Sequence, residues 1–430
     1  MHVGIQRQAD SFKKHFGNFQ YFYQDTFLEI RTAGRVISPT SSVQIRWDHV
    51  QVIGLFYHRG GVCYRDGLLR LCRSAYQVFA SQPTRVYLHG FYMRGSLIEL
   101  NYQRVADQDL GKNNIIETDK GGSYVILDNV VTPSLGKLYL ESQSIASREK
   151  LVGTGTTCYR ARTPDSDRWH YILKFKWRWA RKRPEDELLK LAEEKCVWGA
   201  VSLHYCKEVE STANLRRSLR WGTHRDFDKM HSRKENAKTN NYFQNRILAY
   251  IVTSPIGRPL HTFQSLLELL KVFRDAIKCH RSLYYDAKIL HQDISPGNMI
   301  ILDGQNEAKP QGILINLDSA IQLAEELGTE PGITGTRPFM AISVLKSECH
   351  TYRHDLESFL HTVEMGRDGF QTILDEFTPE FYCLKPLAEW LRQILFPERI
   401  GSPEAVDKLY HEMIRAFEEA IASEGRKDMR

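Results

Sequence analysis

An α+β chain built in two successive blocks is predicted, and three features predict it. A strand, a helix and a hairpin follow one another in the first hundred residues. A second strand–turn–strand unit begins near residue 146 and leads into a charged helix. A long helix with a 3.6-residue apolar period then runs straight into a polar loop flanked by apolar residues. With 430 residues, 42% hydrophobic and 11% aromatic, the chain is long enough for about two domains, each with its own core.

In the first block, residues 1–145, QIRWDHVQVIGLFY (Gln44–Tyr57) places Val50, Val52 and Phe56 at alternating positions and reads as a strand. Leu68, Leu69, Leu71, Cys72, Ala75, Tyr76 and Phe79 then form one wide apolar helical face. RVYLHGFYMRGSLIELNYQR (Arg85–Arg104) reads as two strands around a tight turn at Gly95, where glycine supplies an unusual φ. This order predicts a small α+β domain. It contains no Gly-rich phosphate loop and no cluster of metal-ligand residue types.

In the second block, LVGTGTTCYRA, the turn Thr163–Asp167 and WHYILKFKW predict a β-hairpin. PEDELLKLAEEK predicts a helix, with Pro184 at its first turn and Glu185, Asp186 and Glu187 on the positive end of its dipole. Residues 211–241 are polar and basic. They read first as a solvated insertion, and in functional terms as a docking surface for an acidic partner. From Ser265 to Ala287, Leu266, Leu269, Leu270, Phe273, Ala276, Ile277, His280, Leu283 and Tyr284 keep the helical period; His280 reads as a core histidine and not as a ligand. Three regions result: 1–145, 146–260 carrying the insertion, and 261–430.

Composition narrows the function classes. No apolar run approaches the roughly 18 residues of a membrane span, so no membrane partner is expected. MHVGIQRQADSFKKHF lacks the apolar centre of a secretory leader, which points to an intracellular protein, in cytoplasm or nucleus. The eight cysteines form no C-x-x-C pair and read as buried free thiols, not as a zinc site or disulfide framework. A net charge of +6 makes no case for nucleic acid. The run KFKWRWARKR (Lys174–Arg183) reads as a strand end with long amphipathic side chains, in preference to a base-stacking surface.

The strongest chemical signal is His291-Gln292-Asp293-Ile294-Ser295-Pro296-Gly297-Asn298. It is similar to the H-x-D-x-x-x-x-N catalytic loop of protein kinases and related phosphotransferases. The spacing has a mechanical reason: Asp293 must reach an attacking hydroxyl and accept its proton, while Asn298 turns back toward a magnesium ion on nucleotide phosphates. Upstream, Gly153-Thr-Gly155-Thr-Thr-Cys158 resembles a Gly-rich phosphate cover with its third glycine replaced. Tyr171-Ile-Leu-Lys174 resembles V-A-I-K, making Lys174 the cation for the α/β-phosphates. Taken alone, Lys174 and Lys176 read as exposed strand lysines. Glu185 is the expected partner of Lys174, because Leu188 and Leu189 set it beside the core-facing stripe; Glu187 is second choice. Downstream, Asn316-Leu317-Asp318 stands where kinases carry D-F-G, Gly335–Ala341 resembles the end of an activation segment, and His354-Asp355 resembles the start of a buried helix whose aspartate ties the catalytic-loop backbone.

HQDISPGN, GTRPFMA and HTYRHDLESF together resemble the fungal-type protein kinase family, and AYQVFASQPTRVYLHGFYMRGSLIEL resembles that family's N-terminal region. The resemblance runs from roughly Trp47 to Trp390. It implies a bilobal protein-kinase-like fold, with a β-rich N-lobe and a helical C-lobe, behind the small α+β N-terminal domain. It also implies ATP and Mg2+ as cofactors and phosphorylation of a protein substrate at a Ser/Thr hydroxyl. In that scheme Asp293, Lys174 and Glu185 are catalytic, Gly153, Gly155 and Lys174 bind nucleotide, and Asn298, Asn316 and Asp318 face the metal.

The departures bear on activity. Asn316 replaces a metal-binding aspartate, and a neutral amide holds magnesium more weakly than a carboxylate. If the segment is extended, Asp318 faces the same side two residues on and could replace it. Gln292 stands in place of the H-R-D arginine, so switching by loop phosphorylation is not expected. Ser343 stands in place of the A-P-E glutamate, so a stabilising ion pair is expected to be lost. Three readings compete: an active Ser/Thr kinase of reduced activity, a pseudokinase serving as a scaffold, and an atypical or small-molecule kinase. The last would be similar to aminoglycoside-type phosphotransferases or to the kinase of the tRNA-modifying KEOPS assembly, and the complete activation segment argues against it.

Overall fold

The computed structural model of the chain describes residues 19–21, 28–32, 52–57, 64–82, 88–94, 97–99, 115–128, 135–147, 155–214, 245–303, 309–323, 334–360, 367–396 and 406–426. Two compact units are present. One comprises Met1–Trp169, Leu173–Ala180 and Lys207–Tyr250; the other comprises His170–Ile172, Arg181–Cys206 and Ile251–Arg430.

The first unit opens with strands β1 (Phe19–Tyr21), β2 (Leu28–Thr32) and β3 (Val52–Tyr57), helix α1 (Tyr64–Ser81), and strands β4 (His89–Arg94) and β5 (Leu97–Glu99). The strands form one sheet in sequence order. β3 and β4 run parallel, from Val52↔His89 to Tyr57↔Arg94, and the other neighbours run antiparallel. A parallel pair needs a crossover, and α1 supplies it. The strand–helix–hairpin order read from sequence is therefore present; the turn at Gly95 lies outside the described residues. The helix face differs from the expected one. Leu69 and Cys72 are exposed, Ser74 and Val78 are buried, and Val78 with the half-buried Ala75 packs against Ile53 and Leu88. An apolar arc that wide has more than one edge to bury, and the sheet selects one.

The larger sheet contains β6 (Ile116–Asp119), β7 (Gly122–Ile126), β8 (Lys137–Leu140), β9 (Ala146–Ser147), β10 (Thr157–Arg162), β11 (Tyr171–Trp179), β12 (Ser202–Ser211) and β13 (Arg246–Ser254). Its order is β12-β13-β11-β10-β8-β7-β6, with β9 also on β10. The β8–β10 ladder, Leu140↔Ala161, carries the sheet across residue 145, where the sequence reading set a block boundary. β6–β8 contribute Val125 and Leu138 to the core, both fully buried. At the far end of β11, the Arg246 guanidinium lies 3.8 Å from the Trp179 ring and Arg178 pairs with Glu208. These basic and aromatic side chains pack on one another, as amphipathic residues do. Most of the basic insertion 211–241, its residues 215–241, lies outside the described residues.

The second unit is mainly helical. It contains α2 (Glu185–Glu194), β14 (Arg258–Pro259), α3 (Leu266–Asp286), β15 (Ile289–Leu290), β16 (Met299–Ile301), β17 (Gly312–Leu314) and β18 (Ile321–Gln322). It closes with α4 (Ile342–Leu345), α5 (Tyr352–Ser358), α6 (Arg367–Asp375), α7 (Lys385–Leu395) and α8 (Val406–Gly425). α3 begins where its sequence says it should: the Ser265 hydroxyl accepts the Glu268 N–H at 3.1 Å. Ala276, Ile277, His280 and Leu283 of α3 are buried, and Tyr410, Met413 and Phe417 of α8 share the same core. Ile277, Leu283, Met413 and Phe417 each contribute about 1.5–3 kcal/mol by leaving water. β17 presses close against α3, because a Cβ on Gly312 would lie 2.4 Å from the Val272 carbonyl oxygen. Glycine is required there for backbone approach.

Among the described residues no helix is long and apolar enough to cross a membrane. The cysteines correct the expectation of burial: Cys279 is buried, but Cys72, Cys196, Cys349 and Cys383 are exposed and Cys158 and Cys206 are half-buried. Apolar neighbours along a helix or turn do not share its orientation. All of these are free thiols, and Cys63 lies outside the described residues.

Candidate active site

The polar loop between β15 and β16 is held from below by one carboxylate. Asp355, three residues into α5, is fully buried. It accepts the backbone N–H of His291 at 3.0 Å and that of Gln292 at 3.1 Å, the imidazole Nε2 of His280 at 2.9 Å and that of His350 at 2.8 Å. Tyr410 of α8 donates its hydroxyl to His280 Nδ1 at 2.8 Å. His280 is thus a core histidine, as read from sequence, with both ring nitrogens occupied. The aspartate predicted to tie the loop does so.

That tie holds an unfavourable backbone. Gln292 has φ +62°, a conformation that costs a non-glycine residue about 1–2 kcal/mol. The reversal aims the next side chain, Asp293, to the other side of the loop. His291 fixes the same turn through both ring nitrogens: Nδ1 accepts the Asp293 N–H at 3.2 Å, and Nε2 donates to the Ile315 carbonyl at 3.2 Å. Asn298 closes the loop by donating Nδ2 to the Asp293 carbonyl at 2.7 Å. Its Oδ1 accepts Asn316 Nδ2 at 3.0 Å, and its own carbonyl accepts the Ile315 N–H at 2.9 Å. Asp293, Asn298 and Asn316 are therefore brought together, and the bond network fixes which amide atom points where.

Asp293 is buried, and its Oδ1 accepts the hydroxyl of Thr336 at 2.7 Å. Thr336 follows Gly335, whose φ of +117° and close approach to the Gln292 carbonyl, 2.8 Å from an added Cβ, exclude a side chain. Sequence reasoning gave Thr336 no role. Its one signal was its place after a glycine in the activation-segment phrase, and spacing alone does not reveal a bond spanning 43 residues.

Asn316 adopts the left-handed conformation, φ 72° and ψ 74°, which asparagine tolerates better than other non-glycine residues. Leu317–Ser319 then form a 3-10 turn. The extended geometry that would set Asp318 on the same side as Asn316 is absent, because i and i+2 do not share a face in a three-residue turn. Glu185, at the start of α2, is buried and accepts the Leu317 N–H at 3.0 Å, so it supports this turn. Leu188, Leu189 and Ala192 lie on its buried face, as the spacing required.

Gly155 and Lys174 belong to the first unit. Gly155 has φ +54°, which favours glycine; Gly153 lies outside the described residues. On β11, Leu173 and Phe175 face one side and Lys174 and Lys176 the other. The expectation that these are exposed strand lysines is corrected: Lys174 is 8% exposed and Lys176 1%. β11 is an interior strand between β13 and β10, and both of its faces are covered.

The electrostatics of the second unit predict acid sensitivity in two stages. Burial pushes the His291 imidazole below the ordinary histidine range, against the pull of Asp355, and burial also lowers His354. Below about pH 6.5 the unfolded histidines take up protons that the folded ones refuse, so stability is full above that pH and declines below it. Burial raises the Asp355 carboxyl, but the hydrogen bonds from His280 and His350 outweigh it and hold the group well below the usual carboxylate range. Its contribution is lost below about pH 4, where the unfolded aspartate protonates. Urea melts from pH 8 to pH 3.5 should show a first decline below pH 6.5 and a steeper one below pH 4; a flat profile from 8 to 5 would contradict the histidine assignment.

Comparison with known proteins reaches the same loop from another direction. No curated protein matches the chain in sequence. A family model described as fungal protein kinase matches residues 30–104 and 98–363, which takes in β3, α1 and β4 as well as the stitched His291–Asn298 loop, Asn316, Thr336 and Asp355. With most of its length covered, the chain belongs to the fungal protein kinase family, a family of phosphotransferases.

Proposed function

We propose that this protein is an ATP-dependent serine/threonine kinase that transfers the γ-phosphate to a protein hydroxyl, with activity reduced by Asn316. The observation that carries the reading is the buried Asp293 carboxylate with a hydroxyl, that of Thr336, already bonded to its Oδ1 at 2.7 Å. A substrate Ser or Thr hydroxyl has the same chemistry and can occupy the other oxygen. ATP, when bound, supplies the phosphoryl group. Asp293 would orient the attacking oxygen and take its proton as the new O–P bond forms and the bond from the γ-phosphorus to the β-phosphate oxygen breaks, with ADP as the leaving group, and general-base action of this kind contributes about 10²–10⁴-fold. His291, Asn298 and Asp355 hold the carboxylate in place so that no reorganisation is needed at the moment of transfer. Lys174 as the cation for the phosphates, Glu185 as a catalytic carboxylate, Gly153 and Gly155 as the phosphate cover, and a β-rich and a helical lobe belong to the same proposal.

The donors do not fit a tightly held resident magnesium ion. Asn298 and Asn316 offer neutral amides tied to one another, and Asp318 lies in a 3-10 turn. Among the described residues no three His, Cys, Asp or Glu side chains are grouped to hold a metal ion. This closed amide pair favours the second reading, a pseudokinase that binds partners without chemistry, with the basic 211–241 segment as a surface for an acidic one.

Asn316→Asp discriminates between them. The new carboxylate would face Asn298 Oδ1 without a proton to share, and losing that bond costs the free protein about 1–3 kcal/mol. A cation relieves the repulsion, so magnesium with ATP should raise the melting temperature of Asn316→Asp more than that of wild type, and labelled phosphate transfer should rise with it. Equal shifts for both proteins, with and without magnesium, would remove Asn316 as the cause of reduced activity.

A further inference from the structure

We propose that Arg337 selects the substrate by binding an anionic side chain one to three residues from the accepting hydroxyl. This rests on Asp293 being the group that receives that hydroxyl. Thr336 Oγ1, at 2.7 Å from Asp293 Oδ1, marks where an alcohol meets the carboxylate, and Arg337 is the next residue.

Its mount is rigid. Gly335 can carry no side chain, since an added Cβ would lie 2.8 Å from the Gln292 carbonyl oxygen. Arg337–Phe339 form a 3-10 turn with Pro338 inside it, closed by Phe339 N–H to the Thr336 carbonyl at 2.9 Å and Met340 N–H to the Arg337 carbonyl at 3.2 Å. Met340 and Ala341, which follow, are buried and anchor the turn. The Arg337 main chain therefore keeps a fixed distance from Asp293.

The side chain itself is exposed. Among the described residues it has no carboxylate, unlike Arg258 with Glu268 and Asp303, Arg281 with Asp407, and Arg353 with Glu357. A rigid backbone, a neighbouring Thr336 bonded to the Asp293 carboxylate and an exposed guanidinium fork with no carboxylate on it among the described residues make a recognition element, because arginine pairs with carboxylate or phosphoryl oxygens in bidentate fashion. Adjacent Cα atoms are about 3.8 Å apart and an extended peptide advances about 3.3 Å per residue. An anion within reach of Arg337 then lies within about three residues of a Ser or Thr seated at Asp293. Aspartate, glutamate and a phosphorylated residue share this chemistry.

The test uses the full chain without nucleotide. Fluorescent peptides carry one threonine with Asp, phosphoserine, Ala or Lys at each of the three positions on either side, and binding is read by anisotropy. Wild type should bind the best anionic peptide about tenfold more tightly than its Ala counterpart, the effect of one charge-assisted pair. Arg337→Ala should abolish the difference and Arg337→Glu should reverse it toward Lys, with melting temperatures unchanged. A stronger response to phosphoserine than to Asp identifies a pre-phosphorylated substrate; the reverse identifies an acidic one. Equal binding of anionic and Ala peptides to wild type, or a preference that survives Arg337→Glu, overturns the inference. Because no phosphate is transferred in this assay, an Arg337-dependent preference in a protein that never transfers phosphate would sink the kinase reading and leave the recognition element standing.

Discussion

Replacing Asp355 with alanine is expected to lower folding stability by about 3–5 kcal/mol, the cost of breaking a buried charged network by removing one partner. The carboxylate is fully buried and accepts from two backbone amides and two imidazoles. Alanine leaves those donors facing a void, and each unsatisfied buried donor costs about 1–3 kcal/mol before relaxation. It also frees Gln292 from the bonds that hold its left-handed backbone, so the loop carrying Asp293 loses its shape together with the fold. Asp355→Asn keeps the volume and one acceptor but turns a donor toward a donor, and should fall between alanine and wild type. Urea denaturation reads the series directly. An alanine variant within about 1 kcal/mol of wild type would mean that the network is not what holds the loop.

Asp293→Asn is expected to act the other way, leaving the fold and removing the chemistry. Asparagine has nearly the same shape, and its amide oxygen can still accept from Thr336. What it cannot do is take a proton from an attacking hydroxyl. Phosphate transfer should fall by about 10²–10⁴-fold while the melting temperature and nucleotide affinity stay near wild type. The loss belongs in kcat, because the group acts when the proton moves and not when nucleotide binds. A variant that keeps a tenth or more of the wild-type rate would assign the observed transfer to some other group.

Much of this site could be read from the chain because it is local. His291 to Asn298 span eight residues, and their order reflects what one turn must do: place a carboxylate, reverse, and return an amide. α3 was legible for the same reason, since its apolar period is a short-range signal. What the chain did not disclose is pairing at a distance. The bonds from His280 to Asp355 and from Tyr410 to His280 join residues 75 and 130 apart, which no spacing rule connects. A block boundary at residue 145 separates β8 from β10, which pair, because a ladder leaves no periodicity that names its partner. β12 shows no clean alternation of buried and exposed residues, as an edge strand need not, and so carries no strand signature of its own. Taken alone, Lys174 and Lys176 suit exposed strand positions, yet they lie on an interior strand and both are buried. At Asp318 the error was conformational. Two residues after Asn316 is the same face only in extended chain, and the chain there turns.

The central claim is that Asp293 serves phosphate transfer and not a binding module alone. The most direct measurement incubates purified wild-type protein and Asp293→Asn with ATP labelled at the γ-phosphate, magnesium and a mixed peptide pool of Ser and Thr acceptors, then counts acid-stable label on hydroxyls. Label accumulating with wild type and absent with Asp293→Asn is the predicted result. Nucleotide binding by both proteins with no label above background in either would contradict it and leave the scaffold reading in its place.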